Sequence, residues 1–387
     1  MKAKLASLRL GIIGTGFIAT HLATEILRRG EPQLAKVLTR RALDTVTAFP
    51  ASDRLTHSLD VFLNSCDVVF ECSGDAFHAF EVIGEALQRG KPVLTLNPEF
   101  HVTVGSHFAG KGLLTEAAGD QPGSIAALHR NACEWGFEPK AVLNLKGFYN
   151  PDPEPEEMRF WAEKKGNSVE MVTSFTDGTK IQVEQCLVAN GLGMGIAKEG
   201  LVGLETADTA HAATYFGELA GTKGEGLSDF IIDRSLGHGV LVIATHDPAQ
   251  KTALVNMKMG EGPYYVVEHF CCLLAFEALQ TLRQVMETGQ PLLTNSAQPR
   301  FGVASLAKKP IAAGTRLERG AGSFLLRGIT VDLAERAGHL PINLAQNITF
   351  KRDIEPGELV LLEDVEIADS PVLRAWKSIE SGLLTPA

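Results

Sequence analysis

The residues best suited to chemistry fall in two places. Near the start, Gly14-Thr-Gly16-Phe17-Ile18-Ala19 carries the spacing G-x-G-x-x-A. Between a strand and a helix such a turn lets the backbone approach a pyrophosphate. The first glycine permits the tight turn, the second clears the path of the phosphates, and the small Ala19 allows close helix-strand packing. The helix N-terminus beyond it supplies free N–H groups and a partial positive charge. In mid-chain, Asp177-Gly-Thr-Lys180 is followed by Glu184, so that on a helix the lysine and the glutamate share a face. A lysine near a nicotinamide can act as general acid or base toward a carbonyl or hydroxyl, and a carboxylate can orient or activate it. An exposed i,i+4 ion pair with Asp177 as a helix cap is the competing account of the same residues. Lys146, which follows the apolar run "AVLNL", presents the same choice: a surface lysine, or one pointing from a strand end into a cleft.

The flanking elements decide how these residues are held. Leu8 to Ile13 is a β-branched run suited to a buried parallel strand, and Phe17 to Leu27 spaces apolar residues as a helix does. A second strand, Leu34 to Arg41, ends in Thr39-Arg40-Arg41, where an NAD-binding chain sets an acid on the ribose hydroxyls. Arginines suit a 2′-phosphate, which favours NADP; a solvated arginine pair is the alternative. "CDVVFECSG", "FHAFEVIGEALQRG" and "KPVLTLNPE" continue as strand, helix and strand. Short connections in that order define an α/β fold, a Rossmann-type doubly wound parallel sheet with ligands at the carboxyl ends of its strands. The cofactor candidates are therefore Gly14, Gly16, Phe17, Ile18, Arg40, Arg41, Ser73, Gly74 and Asn97, with Ser73-Gly74 near the ribose and nicotinamide and Asn97 to Glu99 facing the reacting centre.

From about Lys140 the pattern becomes α+β. The Pro and Glu cluster from Pro151 to Glu157 reads as a loop entering a helix. Asn190 and Gly191 are expected to end the helix that Asp177 opens. "SLGHGVLVIATHD" reads as a strand, and "ALVNMKMGEGPYYVVEHF" as another strand with a glycine turn, where Lys258 and Gly260-Glu-Gly262-Pro263 close on a phosphate or simply form a hairpin. "LLAFEALQTLRQVMETG" is an amphipathic helix expected to pack back on the cofactor domain. Candidate substrate contacts are Asn150, Ser174, Thr179, Asn190, Lys258 and His269. The expected domains are 1–140 for the cofactor, 141–297 for catalysis and dimerisation, and a small β-rich module over 298–387, where glycine and proline turns separate short alternating strands.

Bulk properties narrow the classes. A chain of 387 residues calls for two or three domains, and a formal net charge of −10 argues against a nucleic-acid partner. Six cysteines without a C-x-x-C pair read as reduced thiols. No run approaches the roughly 20 apolar residues of a membrane span, and "MKAKLASLRLGIIG" leads into a strand without a signal-peptide pattern, so a cytoplasmic protein with no membrane partner is expected. There is no H-E-x-x-H, no zinc-type Cys/His spacing and no G-x-S-x-G, which demotes hydrolases.

With "GIIGTGFIA", "DVVFECSG", "TLNPEFHVTVG", "EAAGDQPG", "TSFTDGTK", "VANGLG" and "KMGEGPYY" in order along the chain, the sequence resembles bacterial oxidoreductases that join a homoserine-dehydrogenase-like cofactor domain to a SAF domain. That group includes the 1-deoxy-D-xylulose 5-phosphate reductoisomerase-like (DXR-like) enzymes. The tail "VASLAKKPIAAGTRLERGAGSFLLRG" and "HLPINLAQNITFKRDIEPGELVLLEDVE" looks like the SAF module, which in this resemblance caps the active site, binds substrate, or serves packing and dimerisation. The resemblance implies NADPH-dependent rearrangement and reduction of deoxyxylulose phosphate in isoprenoid precursor synthesis, by a homodimer. Lys180 and Asp177 would stand at the reacting oxygen with Lys146 as a further candidate, and Mg²⁺ or Mn²⁺ would be held by Asp177, Glu184 or Glu277. One departure bears on the substrate: an Arg-Pro-Tyr-His stretch of the family is replaced here by His269-Phe270-Cys271-Cys272. The alternatives are a homoserine-dehydrogenase-like or sugar-acid dehydrogenase without isomerisation, and a non-catalytic sugar or cofactor sensor.

Overall fold

The computed structural model describes residues 6–235 and 238–384, so Leu236 and Gly237 of the expected strand "SLGHGVLVIATHD" lie outside the described residues, as do 1–5 of the starting segment. Two compact units are present, one running to Ser124 and adding Cys272–Thr294, the other comprising Ile125–Cys271 and the chain from Asn295 onward.

The first unit opens with β1 (Arg9–Ile13), α1 (Phe17–Arg29), β2 (Gln33–Leu38) and the short β3 (Leu55–Thr56). There follow α2 (Leu59–Ser65), β4 (Val68–Glu71), α3 (Ala76–Gln88), β5 (Val93–Thr95), α4 (Pro98–Val104) and β6 (Leu114–Glu116). All strand pairs are parallel, in the order β3-β2-β1-β4-β5-β6. The order reverses between β1 and β4, so the crevice beyond their carboxyl ends is where such a sheet takes a ligand. Leu10, Ile12, Val68 and Phe70 are fully buried, as expected of strands covered on both faces.

Helix α5 (Gln121–Glu134) carries the chain into the second unit. There β7 (Glu138–Lys146) is followed by α6 (Pro155–Lys165), α7 (Val169–Thr176), α8 (Thr179–Leu192), β8 (Leu204–Glu205), α9 (Thr209–Lys223), β9 (Leu227–Ile232), β10 (Val240–Thr245), α10 (Lys251–Asn256) and β11 (Tyr265–His269). The sheet order is β11-β10-β7-β9-β8, parallel over β7, β9 and β8 and antiparallel at β10 and β11. On one face α9 buries Ala212, Ala213, Phe216 and Ala220 in a core with Leu143, Ile231 and Leu241. Two expectations change here. The stretch "ALVNM" is helical, not a strand, because Asp247 accepts from the Ala249 N–H at 2.8 Å and Pro248 starts the turn that leads into α10. Helix α8 runs past Asn190 to Leu192 and stops where Gly193 takes a left-handed φ of 66°.

Helix α11 (Leu274–Thr288) belongs to the first unit, where Ala275, Ala278, Leu279 and Leu282 join the core built on Leu10, Ile12 and Leu22. The remaining chain adds β12 (Phe301–Ala307), β13 (Arg316–Arg319), β14 (Leu326–Asp332), β15 (Gln346–Phe350), β16 (Val365–Glu366) and α12 (Pro371–Leu384) to the second unit. β12 pairs with β14, and β15 with β13 and β16, all antiparallel. Among the described residues no helix is long and apolar enough to cross a membrane.

Candidate functional site

In the first unit the fingerprint turn joins β1 to α1. Gly14 has φ +112°, and a Cβ there would stand 3.1 Å from the Cys72 carbonyl oxygen, so only glycine fits. Gly16 is different: it sits at the N-cap of α1 with no side-chain cap, and a Cβ on it would meet nothing within 4 Å. The space before the helix N-terminus is thus kept open by Gly16, which fits a pyrophosphate, while Ala19 is fully buried against the sheet. Phe17 is 67% exposed and stacks edge-on to His21; Ile18 packs against the core of this unit.

At the end of β2 the buried Thr39 stands where an acid would serve NAD. Its hydroxyl is 3.2 Å from that of Thr15 and accepts from the Arg41 N–H. The Arg41 guanidinium reaches the Thr15 carbonyl oxygen at 3.5 Å, next to the fingerprint turn, and Arg40 pairs with Asp75 at 2.7 Å. This second pair is open to solvent, and such a pair holds its arginine only weakly.

Behind Ser73 and Gly74 lies a polar layer that the sequence reading missed. Glu71, the last residue of β4, is fully buried; it accepts from the Ser73 N–H at 2.7 Å and from the Asn97 side-chain amide at 2.9 Å. Burial pushes its carboxyl up, against those hydrogen bonds. Asn97 is buried as well: it caps α4 by accepting from Phe100 N–H, and its own N–H donates to Glu116 at 3.2 Å. Its side chain therefore holds the loop after β4 and is itself turned inward. Thr95 donates to Glu116 at 2.5 Å, so its oxygen takes the Nε2–H of His101 at 2.9 Å. The signal for this layer is a glutamate closing an apolar strand, in both "DVVFE" and "LLTE".

His101 shares that layer, and burial pushes its imidazole down to about 3. The folded state holds it neutral, whereas an unfolded histidine takes a proton near 6.5. Stability that is complete above about pH 6.5 is therefore lost as the pH falls from there toward about 3. His101→Gln, whose amide can still donate to Thr95, should flatten the acid limb of a plot of melting temperature against pH.

In the second unit α8 is buried along nearly its whole length, from Thr179 to Asn190. The sheet lies on one side, with the Gln185 side-chain amide donating to the Val142 carbonyl oxygen and the Gln185 main-chain carbonyl oxygen accepting from the Ser228 hydroxyl. Strands β12 and β14 cover the other. Gly328 N–H donates to Thr179 Oγ1 at 2.9 Å, Thr330 N–H to Gln182 Oε1 at 2.8 Å, and the Thr330 hydroxyl to the Gln182 carbonyl oxygen at 3.0 Å. A helix buried on all sides can keep polar residues only when each has a partner.

The lysines and carboxylates converge at the start of this helix. Lys180 Nζ stands 3.7 Å from Glu184 Oε1 with side chains only 15% and 6% exposed, which removes the exposed-pair reading. Glu184 also accepts from Asn144 on β7 at 2.8 Å. The ammonium of Lys146, at the end of the same strand, makes no hydrogen bond or ion pair among the described residues; burial pushes it below the ordinary lysine range, and the charges of Glu184 and Asp177 oppose that fall. Asp177 is fully buried, accepts from Thr179 N–H at 2.9 Å, and pairs at 3.0 Å with Lys308 from the segment after β12. Burial pushes the Asp177 carboxyl up and the Lys308 ammonium down, while their attraction pulls both back toward the ionised pair. Asp177 is thus committed to Lys308 and to the turn that opens α8. Lys308→Met should lower the unfolding free energy by about 3–5 kcal/mol, because it strands a buried charge; denaturant titration reads this, and adding Asp177→Asn should restore part of the loss.

The other expected contacts divide. Ser174 lies half-buried on α7, and Asn150 ties its loop to the Asp177 turn by donating its N–H to the Thr176 carbonyl oxygen at 2.9 Å. Thr179 is 1% exposed and committed to Gly328. Asn190 is spent on structure: its amide donates to Asn295 and to the Phe301 carbonyl oxygen, and accepts from the Arg300 and Phe301 N–H groups. Lys258 is exposed in the connection from Thr245 to Tyr265, at the end of the sheet opposite Lys146, whereas His269 closes β11 at the Lys146 end. The expected cation ligands do not assemble. Glu277 belongs to the first unit, where it accepts from Ser124 and from the Leu273 N–H, while Asp177 and Glu184 face ammonium groups. Among the described residues no group of three or more His, Cys, Asp or Glu is placed to hold a metal ion.

A catalytic-domain match, a doubly wound sheet and a dinucleotide turn make this chain an oxidoreductase enzyme. Residues 119–278 match the family described as "Oxidoreductase DRL, catalytic domain". Solved structures that resemble the chain include UDP-N-acetylglucosamine 3-dehydrogenase GnnA from Acidithiobacillus ferrooxidans, with 14% identity, TM-score 0.42, and coverage of 75% of this chain and 92% of that one. A homoserine dehydrogenase from Thiobacillus denitrificans has 11% identity, TM-score 0.45 and coverage of 84% and 90%. A myo-inositol dehydrogenase from Corynebacterium glutamicum has 13% identity, TM-score 0.43 and coverage of 73% and 90%. No curated protein matches the chain.

Proposed function

We propose that the enzyme is an NADP-dependent reductase of a small, polyhydroxylated and phosphorylated carbonyl compound, with 1-deoxy-D-xylulose 5-phosphate as the first substrate to test. The observation that carries this reading is the Lys146 ammonium, unpartnered among the described residues, under the charges of Glu184 and Asp177 at the start of a buried helix, where Glu184 also holds Lys180. A bound NADPH supplies the hydride. The residues to hold it are Gly14, Gly16, Phe17 and Ile18 at the pyrophosphate, Arg41 and Arg40 at the 2′-phosphate, and Ser73-Gly74 at the nicotinamide ribose. Glu71 fixes the Ser73 backbone through its hydrogen bond. Lys146 gives its proton to the carbonyl oxygen as that oxygen gains charge, and burial, by lowering its pKa, suits it to that task. Lys180, kept in place by Glu184, adds positive charge at the same oxygen. Asp177 positions this turn without touching substrate. Since the carboxylates are engaged with ammonium groups, no step of this reading runs through a divalent cation.

The enzyme works as a homodimer in this reading, and the residues over 298–387 form its SAF-like part. Incubation with NADPH and deoxyxylulose phosphate, followed by absorbance at the nicotinamide band and mass analysis, tests the substrate. Reduction with rearrangement is expected. Oxidation of NADPH only with unrearranged sugar, sugar-acid or amino-acid carbonyls would transfer the reading to a simple dehydrogenase.

A further inference from the structure

Strand β14 brings one more cation to the start of α8. Arg327 is half-buried there, and among the described residues its guanidinium makes one hydrogen bond, donated to the Tyr149 hydroxyl at 3.3 Å. Among the described residues no carboxylate pairs with it, and the charge of Lys308 lies near enough to oppose its own. A guanidinium left with a single neutral acceptor while already withdrawn from water is poised for an oxyanion. Tyr149 is itself fixed in place. A Cβ on Gly178 would fall 2.6 Å from its ring, and Gly178 has φ +85°, so the ring lies directly on the turn that opens α8. The local charge leans positive: Lys146, Lys165, Lys180, Lys308 and Arg327 stand with Asp152, Asp177 and Glu184, in a chain whose formal net charge is −10.

We infer that Arg327 and Tyr149 grip the phosphate monoester of the substrate, so that the C-terminal segment supplies the specificity-determining cation of the site. The inference rests on the proposed reduction for its substrate. It places that group by the planar fork of Arg327 and the Tyr149 hydroxyl, with Lys146 and Lys180 left for the carbonyl end. It also accounts for the packing of β14 on α8. The hydrogen bonds from Gly328 to Thr179 and from Thr330 to Gln182 fix the strand directly after the arginine, which holds the guanidinium in register with the helix.

Inorganic phosphate is the probe that needs no turnover. Phosphate should raise the melting temperature of the full-length enzyme in a saturable manner; Arg41→Ser, which weakens the competing 2′-phosphate contact, is the background in which the shift is read. The shift should vanish in Arg327→Met and return in part in Arg327→Lys, and Tyr149→Phe should weaken it. With a phosphorylated substrate, Arg327→Met should raise KM by about 10- to 100-fold with a smaller change in kcat, the loss of one or two charge-assisted hydrogen bonds. The unphosphorylated analogue should show no such difference. A phosphate effect that is absent from the wild type, or undiminished in Arg327→Met, overturns the inference. An Arg327-dependent phosphate effect without reduction of any carbonyl upholds it and rejects the proposed reaction instead.

Discussion

Lys146→Met should lower kcat/KM by about 10²- to 10⁴-fold, the usual weight of a general acid, and leave NADPH affinity unchanged. Methionine keeps much of the apolar stem, and since the Lys146 ammonium has no hydrogen-bonded partner, the substitution strands no buried charge. The pH profile provides the finer reading. The donor must be protonated, so reduction should slow as the pH rises through the pKa of Lys146, and burial sets that limb below the ordinary lysine range. In Lys146→Arg the limb should disappear from the accessible range, because guanidinium does not titrate there. Stopped-flow or steady-state rates across the alkaline range measure it. An unchanged rate in Lys146→Met would leave the cluster a structural feature.

Gly16→Val should abolish measurable NADPH binding, a loss of more than about 10²-fold, with the fold intact. Two facts separate it from an ordinary glycine substitution. The backbone φ of Gly16 is −82°, open to any L-residue, and a Cβ there meets no protein atom within 4 Å. The added side chain therefore occupies only the space reserved for the pyrophosphate. Gly14→Ala provides the contrast: its φ of +112° and the 3.1 Å approach to the Cys72 carbonyl oxygen strain the protein itself, so it should lower the melting temperature. Fluorescence titration with NADPH beside thermal melting distinguishes the two effects. Gly16→Val that still binds NADPH would mean that the turn serves no dinucleotide.

The cofactor half of this account was readable because its signals are local. A glycine spacing, a β-branched run and a threonine-arginine ending each lie within a few residues of one another, and the turn geometry follows from them. Lys146, Lys180 and Glu184 could likewise be found from a strand end and a helical spacing. Their burial could not, since it depends on β12 and β14 covering α8 from more than a hundred residues downstream. For the same reason Lys308 and Arg327 gave no sign of belonging to this site, and Asp177 looked free when its partner was out of view. Asn190 looked like a substrate ligand because its four hydrogen bonds to the Asn295–Phe301 region are made across the fold. "ALVNM" reads as a strand because its apolar run is too short to show a helical period, while the cap that starts the helix lies earlier, at Asp247 and Pro248.

Isotope transfer tests the central claim most directly. The enzyme is incubated with NADPH carrying deuterium at the nicotinamide C4 and with deoxyxylulose phosphate, simple sugar phosphates and amino-acid semialdehydes, and the products are weighed by mass spectrometry. A product one deuterium heavier, formed by the wild type and lost in both Lys146→Met and Gly16→Val, is the predicted result. A product formed without deuterium, or labelled equally well by the Gly16→Val enzyme, would contradict it.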